Sequence, residues 1–165
     1  MLTRQWGIAS ILVVLIFVLH TMTLASGVPE HLNVSDLSIE TASGQRYEFR
    51  VYEAVTPPDR SRGLMYVEEL GEREGMIFAS GASTVSSMWM KNTPIPLDIL
   101  FLRADGTVSS IAADMIPYSR RPVSSREPVL AVLEVYGGTC KKLGINPGDK
   151  VYHYFLPQHP QEQEE

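Results

Sequence analysis

The chain of 165 residues contains a single cysteine, Cys140. One cysteine excludes an intramolecular disulfide, a CxxC redox site and a cysteine-rich zinc site. The four histidines show neither HExxH nor HxxxH spacing, and no GxSxG motif marks a nucleophilic serine. These absences remove the common signatures of zinc, thiol–disulfide and serine-hydrolase chemistry. The sequence predicts no metal site and no cofactor.

Positive charge is also scarce. The chain has 14 Lys and Arg against 19 Asp and Glu, which gives a formal net charge of −5. Proteins that bind nucleic acid obtain most of their affinity by neutralising phosphates with clustered basic residues. Because this chain has no basic block, the charge balance predicts that nucleic acid is not a partner.

The longest apolar run lies near the N-terminus. Residues 7–19 follow a basic residue and precede small residues, which is typical of a secretory signal peptide, with cleavage after Ala25 or Gly27. The alternative is an uncleaved membrane anchor over residues 7–25, close to the roughly 20 apolar residues of a spanning helix. Residues 1–27 are therefore predicted to form a hydrophobic export helix or anchor. The rest of the protein is predicted to be periplasmic or secreted, with membrane contact only through an uncleaved segment.

The remaining sequence is dominated by short alternating segments separated by turn residues. Such a pattern predicts a β-sandwich or small barrel with one to three short helices. The predicted strands are 37–41, 47–51, 85–91, 97–102, 107–111, 129–135 and 150–156. Helical turns are predicted over 56–62, with Thr56 as N-cap, and over 140–143, with Thr139 as N-cap. The predicted domain is 28–156, followed by a disordered acidic tail, 157–165.

The segment MWMKNTPIPLD is the densest group of unusual residues in the chain. Strand alternation would place Met88, Met90 and Asn92 on one face, and Trp89 and Lys91 on the other.

Lys91 and Asp98 flank the Pro-X-Pro turn of this segment and are predicted to pair, because an unpartnered carboxylate in an apolar strand is costly. One interpretation is a charged pair at the mouth of a pocket. The other is a structural ion pair, with Asn92 and Asp98 satisfying backbone groups of the turn.

At this point the chain resembles the DUF192 family of small, mostly exported prokaryotic proteins, over residues 47–152. The motifs that carry the resemblance are AVT from Ala54, RSRGLM from Arg60, GMIF from Gly75, WMKNT from Trp89, IPLDILF from Ile95, VLE from Val132, GGT from Gly137, LGI from Leu143 and GD from Gly148. The family usually has an aromatic residue at the position of Met88 and a more apolar stretch at 79–81. The resemblance implies a compact, mostly β, jelly-roll-like domain, and it implies no activity.

The charged residues of these motifs suggest a binding site. We expect a cell-envelope binding or interaction module for a small polar or anionic ligand, or an envelope component, with Arg forks holding the anion. The candidate residues are Arg60, Arg62, Trp89, Lys91, Asn92, Asp98 and Glu134.

Three alternatives remain open from the sequence. The first is a hydrolase or lyase acting on an envelope carbohydrate or peptide, with Asp98 or Glu134 as acid or base. The second is a Cu(I)-binding protein that uses the thioethers of Met88 and Met90 beside Trp89. The third is that the motifs serve only turns and core packing, since glycine, proline and Asn-Thr positions dominate them.

Overall fold

A computed structural model of the chain describes residues 27–157, which form nine strands and two short helices. The strands are β1 (Val34–Glu40), β2 (Arg46–Ala54), β3 (Glu74–Thr84), β4 (Ser87–Met88), β5 (Leu97–Leu102), β6 (Val108–Met115), β7 (Val123–Ser124), β8 (Val129–Tyr136) and β9 (Lys150–Tyr152), and the helices are α1 (Pro57–Arg62) and α2 (Thr139–Leu143). Apart from Gly27 and Pro157, the predicted export helix and the predicted acidic tail lie outside the described residues. Within 27–157, no helix is long and apolar enough to span a membrane.

Seven strands form one sheet in the order β6-β5-β8-β3-β2-β1-β9, and β4 pairs separately with β7. Every neighbouring pair is antiparallel except β2 and β3, which run parallel. The two ends of the sheet approach each other where Thr107 bridges to Lys150, and the Val108 N–H donates to the Asp149 carbonyl at 2.9 Å. The prediction of a mostly β fold with one to three short helices is confirmed. Of the two predicted architectures, sandwich or barrel, the sheet is nearer the second, because it curls into a half-barrel.

Each face of the curled sheet buries its own apolar cluster. Period-two alternation sends Ile77 and Leu133 into one cluster, whereas Met76 and Val132 enter the other. All six side chains of β5 are buried, because this strand is covered on both faces. The second cluster, with Met76 and Val132, lies under α1 and its following loop, and it positions the candidate site.

Local sequence signals explain most of these elements, with four corrections. Thr56 caps α1 as predicted, since its hydroxyl accepts from the Asp59 N–H. In contrast, Thr139 is not the cap of α2, because Gly138 holds that place in a left-handed conformation with no side-chain cap.

The strand predicted over 85–91 is reduced to the two residues of β4, since the chain leaves the strand after Met88. The strand predicted over 150–156 ends at Tyr152, where turns follow. Finally, β3 was not predicted as a strand. It pairs with β2 and β8 and therefore lies inside the sheet.

Candidate functional site

A cavity of about 280 Å³ opens between α1, the loop after β4 and strand β8. We call it the Glu134 pocket. Its lining comprises Arg60, Ser61, Arg62, Gly63, Leu64, Met65, Phe78, Ser87, Met88, Trp89, Lys91, Thr93 and Glu134. Five of the seven residues predicted for the site therefore border one cavity, and the other two, Asn92 and Asp98, do not.

Helix α1 places two arginines at one wall of the Glu134 pocket. The helix ends at Gly63, whose φ of 50° lies in the left-handed region and whose N–H donates to the Asp59 carbonyl at 2.7 Å. A side chain at Gly63 would press on the ring of Phe78, so the helix packs closely on the sheet. The Arg60 guanidinium donates to the carbonyl of Val55, which anchors that side chain, and Arg62 is exposed to solvent.

The opposite wall is the loop that carries Trp89 and Lys91. The Lys91 ammonium lies 5.3 Å from the centroid of the Trp89 ring, in cation–π range, and the indole is 48% exposed. Backbone hydrogen bonds hold the loop from both sides: Tyr66 N–H donates to the Asn92 carbonyl at 2.8 Å, and Tyr118 N–H donates to the Thr93 carbonyl at 3.0 Å.

This loop is held in an uncommon backbone conformation. Tyr66, Asn92 and Tyr118 have φ values of 67°, 56° and 60°, in the left-handed region that non-glycine residues rarely adopt. Only one other non-glycine residue within 27–157, Asp114, has a positive φ. The unusual conformations therefore concentrate where the loop meets its two neighbours, beside the pocket.

Glu134 lies at the bottom of the pocket and is the least expected residue there. In β8 it stands opposite Met76 and Ile99, on the face of the sheet that is otherwise apolar, and it is 3% exposed. No hydrogen bond or ion pair to its carboxyl is present among residues 27–157. The carboxyl oxygens reach the pocket, since every fully enclosed side-chain polar atom of these residues has a partner. Burial alone raises the pKa of Glu134 to about 8, because an ionised carboxylate loses its hydration. Near neutral pH the side chain is therefore mostly protonated.

Asp98, by contrast, has a full set of partners and lies away from the pocket. Its carboxylate accepts from the backbone N–H groups of Asp114 at 2.8 Å, Gly138 at 3.1 Å and Cys140 at 2.8 Å. The predicted ion pair with Lys91 is wrong, because backbone donors already satisfy the buried carboxylate. Asp98 thus ties β6 and the start of α2 to β5.

Asn92 also has a supporting position. Its side-chain amide donates to the Tyr66 hydroxyl at 2.8 Å, next to the pocket. The predicted alternation of the segment is wrong here, since Met88 borders the pocket with Trp89 and Lys91.

Of the proposed copper ligands, Met88 and Trp89 border the pocket and Met90 does not. Met90 is fully buried in the second apolar cluster, against which Met88 packs. Met65 borders the pocket instead of Met90, and its sulfur accepts from the Asn92 amide at 3.9 Å. Within 27–157, no three His, Cys, Asp or Glu side chains form a metal-binding group.

Sequence reasoning missed the apolar walls of the pocket, Leu64, Met65 and Phe78. The signal was present, because the RSRGLM and GMIF motifs contain them. In the RSRGLM motif, the arginines border the pocket with their charged groups, and Leu64 and Met65 supply its apolar lining.

Comparison with known proteins places the chain in a family. The model of the family described as "Uncharacterized ACR" matches residues 38–153. The chain belongs to the DUF192 family. A crystal structure of a proposed transcription regulator from Sinorhizobium meliloti 1021 is similar over 76% of this chain and 97% of that protein, with 41% identity and a TM-score of 0.74. A protein of unknown function from Novosphingobium aromaticivorans is 40% identical over 81% of this chain and 99% of its own, with a TM-score of 0.72. No curated protein matches significantly.

Proposed function

We propose that this DUF192 protein uses the Glu134 pocket to bind a small anionic ligand that also carries a polar group able to hydrogen-bond to Glu134. The observation that supports this most directly is the Glu134 side chain: it is 3% exposed, it has no hydrogen-bond or ion-pair partner among residues 27–157, and it faces a cavity that three cationic side chains border. A buried polar group that is left unpaired is costly, so its retention calls for an explanation. A ligand that completes the missing hydrogen bonds supplies one.

Charge supports an anionic ligand. Arg60, Arg62 and Lys91 border the pocket, and a protonated Glu134 adds no negative charge to it near neutral pH. The Arg62 guanidinium is exposed and suits a carboxylate or phosphate group, since its donors are arranged as a fork. The volume of about 280 Å³ lies at the lower limit of ligand sites, which start at roughly 300 Å³, so the bound group is small.

The test is a thermal-shift screen of the full chain against sugar acids, hydroxy acids and phosphate esters. A ligand of this class should raise the melting temperature of the wild type, and Arg62→Ala should abolish the shift. Arg126→Ala is the matched control, because Arg126 is an exposed arginine that does not border the pocket. A shift that Arg62→Ala and Glu134→Gln both leave unchanged would contradict the proposal.

An enzyme is the second candidate, and one observation favours it. A carboxyl whose pKa is raised to about 8 inside a cavity can act as a general acid near neutral pH. In this candidate Glu134 is the acid of a hydrolase or lyase, and Asp98 has no direct part. Glu134→Gln separates the two candidates, since it keeps the shape of the pocket but cannot transfer a proton. Turnover lost while ligand binding persists indicates the enzyme.

Export and envelope location belong to the same proposal. They rest on the N-terminal sequence alone, and fractionation of cells that express the full chain with a C-terminal tag tests them. Recovery in the cytoplasm at full length would contradict export.

A further inference from the structure

The Glu134 pocket adjoins two further cavities. A cavity of about 290 Å³, the Ser80 cavity, shares Arg60, Phe78, Ser87 and Met88 with it. A second neighbouring cavity, of about 380 Å³, is bordered by Ser87, Met88, Trp89, Arg120 and Pro122, and we call it the Arg120 cavity. Ser87 and Met88 of β4 border all three cavities, so the cavities adjoin one another at this strand, and we call them together the groove.

The charge along this groove is of one sign. The ionisable side chains that border the three cavities are Arg60, Arg62, Lys91, Arg120 and the buried Glu134. Four of these are cations, although the chain as a whole has a net charge of −5. Since Glu134 is mostly protonated near neutral pH, the groove presents a positive surface on an acidic protein. An occupant that fills more than the pocket should carry several negative charges.

The polar chemistry of the groove favours a sugar chain. Trp89 borders both the Glu134 pocket and the Arg120 cavity, and its indole is 48% exposed. The part of the ring that the Lys91 ammonium does not cover can contact the C–H groups of a sugar. The Ser80 cavity is bordered by the hydroxyl residues Ser80, Thr84, Ser86 and Ser87, which can both donate and accept hydrogen bonds.

Two other kinds of polymer fit less well. A single-stranded nucleic acid requires successive aromatic platforms, and in this groove Trp89 is the one exposed aromatic side chain among the described residues. An acidic peptide can meet the same cations, since arginine clusters bind acidic motifs, but it accounts less well for the exposed Trp89 ring and the hydroxyl residues of the Ser80 cavity.

We infer that the occupant is an acidic oligosaccharide rich in uronic acid, which lies along β4 with one sugar unit inserted in the Glu134 pocket. This inference rests on the proposed function of the pocket and extends it. Arg62 and Lys91 hold the carboxylate of the inserted unit, while Trp89 stacks on the next unit and Arg120 meets the next carboxylate.

Calorimetric titration of the full chain with galacturonate and with its dimer, tetramer and hexamer tests the inference. Because each further carboxylate gains a cationic partner, affinity should rise about tenfold or more from monomer to tetramer. Arg120→Ala should remove most of the gain between monomer and tetramer, whereas the control Arg126→Ala should leave the gain intact.

Other outcomes overturn the inference in distinguishable ways. Equal affinity for monomer and tetramer would confine binding to the pocket, which refutes the groove and leaves the proposed function standing. Tighter binding of oligothymidylate or polyglutamate than of the tetramer would identify a different polymer. If neither the oligomers nor any anion of the thermal-shift screen binds, both proposals fail together.

Discussion

Replacing Glu134 by Gln should stabilise the protein, and the effect should grow with pH. The amide has nearly the shape of the carboxyl but does not ionise. In the wild type, burial raises the pKa of Glu134 from its ordinary 4.5 to about 8. The folded protein therefore keeps a proton that the unfolded chain has already released, and this difference couples stability to pH.

The sign and magnitude follow from that difference in proton binding. Below pH 4.5 the carboxyl is protonated in both states, and its burial carries no ionisation penalty. Between about pH 4.5 and about 8, unfolding releases a proton, so the wild type loses about 1.4 kcal/mol of stability per pH unit. The Glu134→Gln variant should therefore exceed the wild type by about 3 kcal/mol at pH 7, and by about 5 kcal/mol above pH 8.

Urea unfolding of the wild type and of Glu134→Gln at pH 5, 6, 7 and 8 measures the difference between their free energies of unfolding. The other titrating groups are the same in both proteins, so their contributions cancel in this difference. Glu127→Gln is a control that should show no pH dependence over this range. Hydrogen bonds from Ser109 and Arg103 lower the pKa of Glu127 below its ordinary 4.5, so its stabilising contribution is fully present from pH 5 to pH 8 and is lost only at lower pH. A Glu134→Gln difference that stays flat from pH 5 to pH 8 would refute the assignment of a neutral, unpartnered carboxyl.

Three further predictions concern the scaffold. Asp98→Ala leaves three backbone N–H donors without an acceptor, which costs about 1 kcal/mol or more for each donor, so the free energy of unfolding should fall by about 3 kcal/mol. An unchanged melting temperature would contradict the structural role of Asp98. Gly75→Ala would place a Cβ 2.6 Å from the Glu134 carbonyl oxygen and should destabilise the sheet by about 1–3 kcal/mol, measured by urea unfolding. Cys140 is buried with its thiol pKa raised by desolvation, so a thiol reagent should label the native protein far more slowly than the unfolded chain; rapid native labelling would contradict this.

Local patterns predicted much of the fold, and long-range contacts account for the rest. The alternation within β2 and the Thr56-Pro57-Pro58 sequence of α1 are properties of neighbouring residues, so the sequence alone reveals them. The closure of the sheet depends on Thr107 meeting Lys150, 43 positions apart in the chain. No local pattern records that contact, which explains why a half-barrel could not be told from a sandwich.

The candidate site shows the same limit at single residues. In the sequence, Asp98 and Glu134 are equivalent: each is an acid within an otherwise apolar strand. The difference between them is set by the backbone donors of Asp114, Gly138 and Cys140, which surround only Asp98. Asp98 is thereby a structural residue and Glu134 a candidate ligand-binding residue. Only tertiary structure separates the two roles.

The energetic costs of this fold concentrate around one cavity, and that concentration is itself an argument for function. The neutral Glu134 costs about 3 kcal/mol at pH 7, and left-handed residues such as Tyr66 and Tyr118 cost of order 1 kcal/mol each. Domains are stable by only about 5–15 kcal/mol in total, so these penalties are a large share. Substitution by a neutral residue at 134 would relieve the main penalty without disturbing the strand. Under the proposed function, the carboxyl is retained for ligand binding, so the stability gained by Glu134→Gln should come with a loss of ligand affinity.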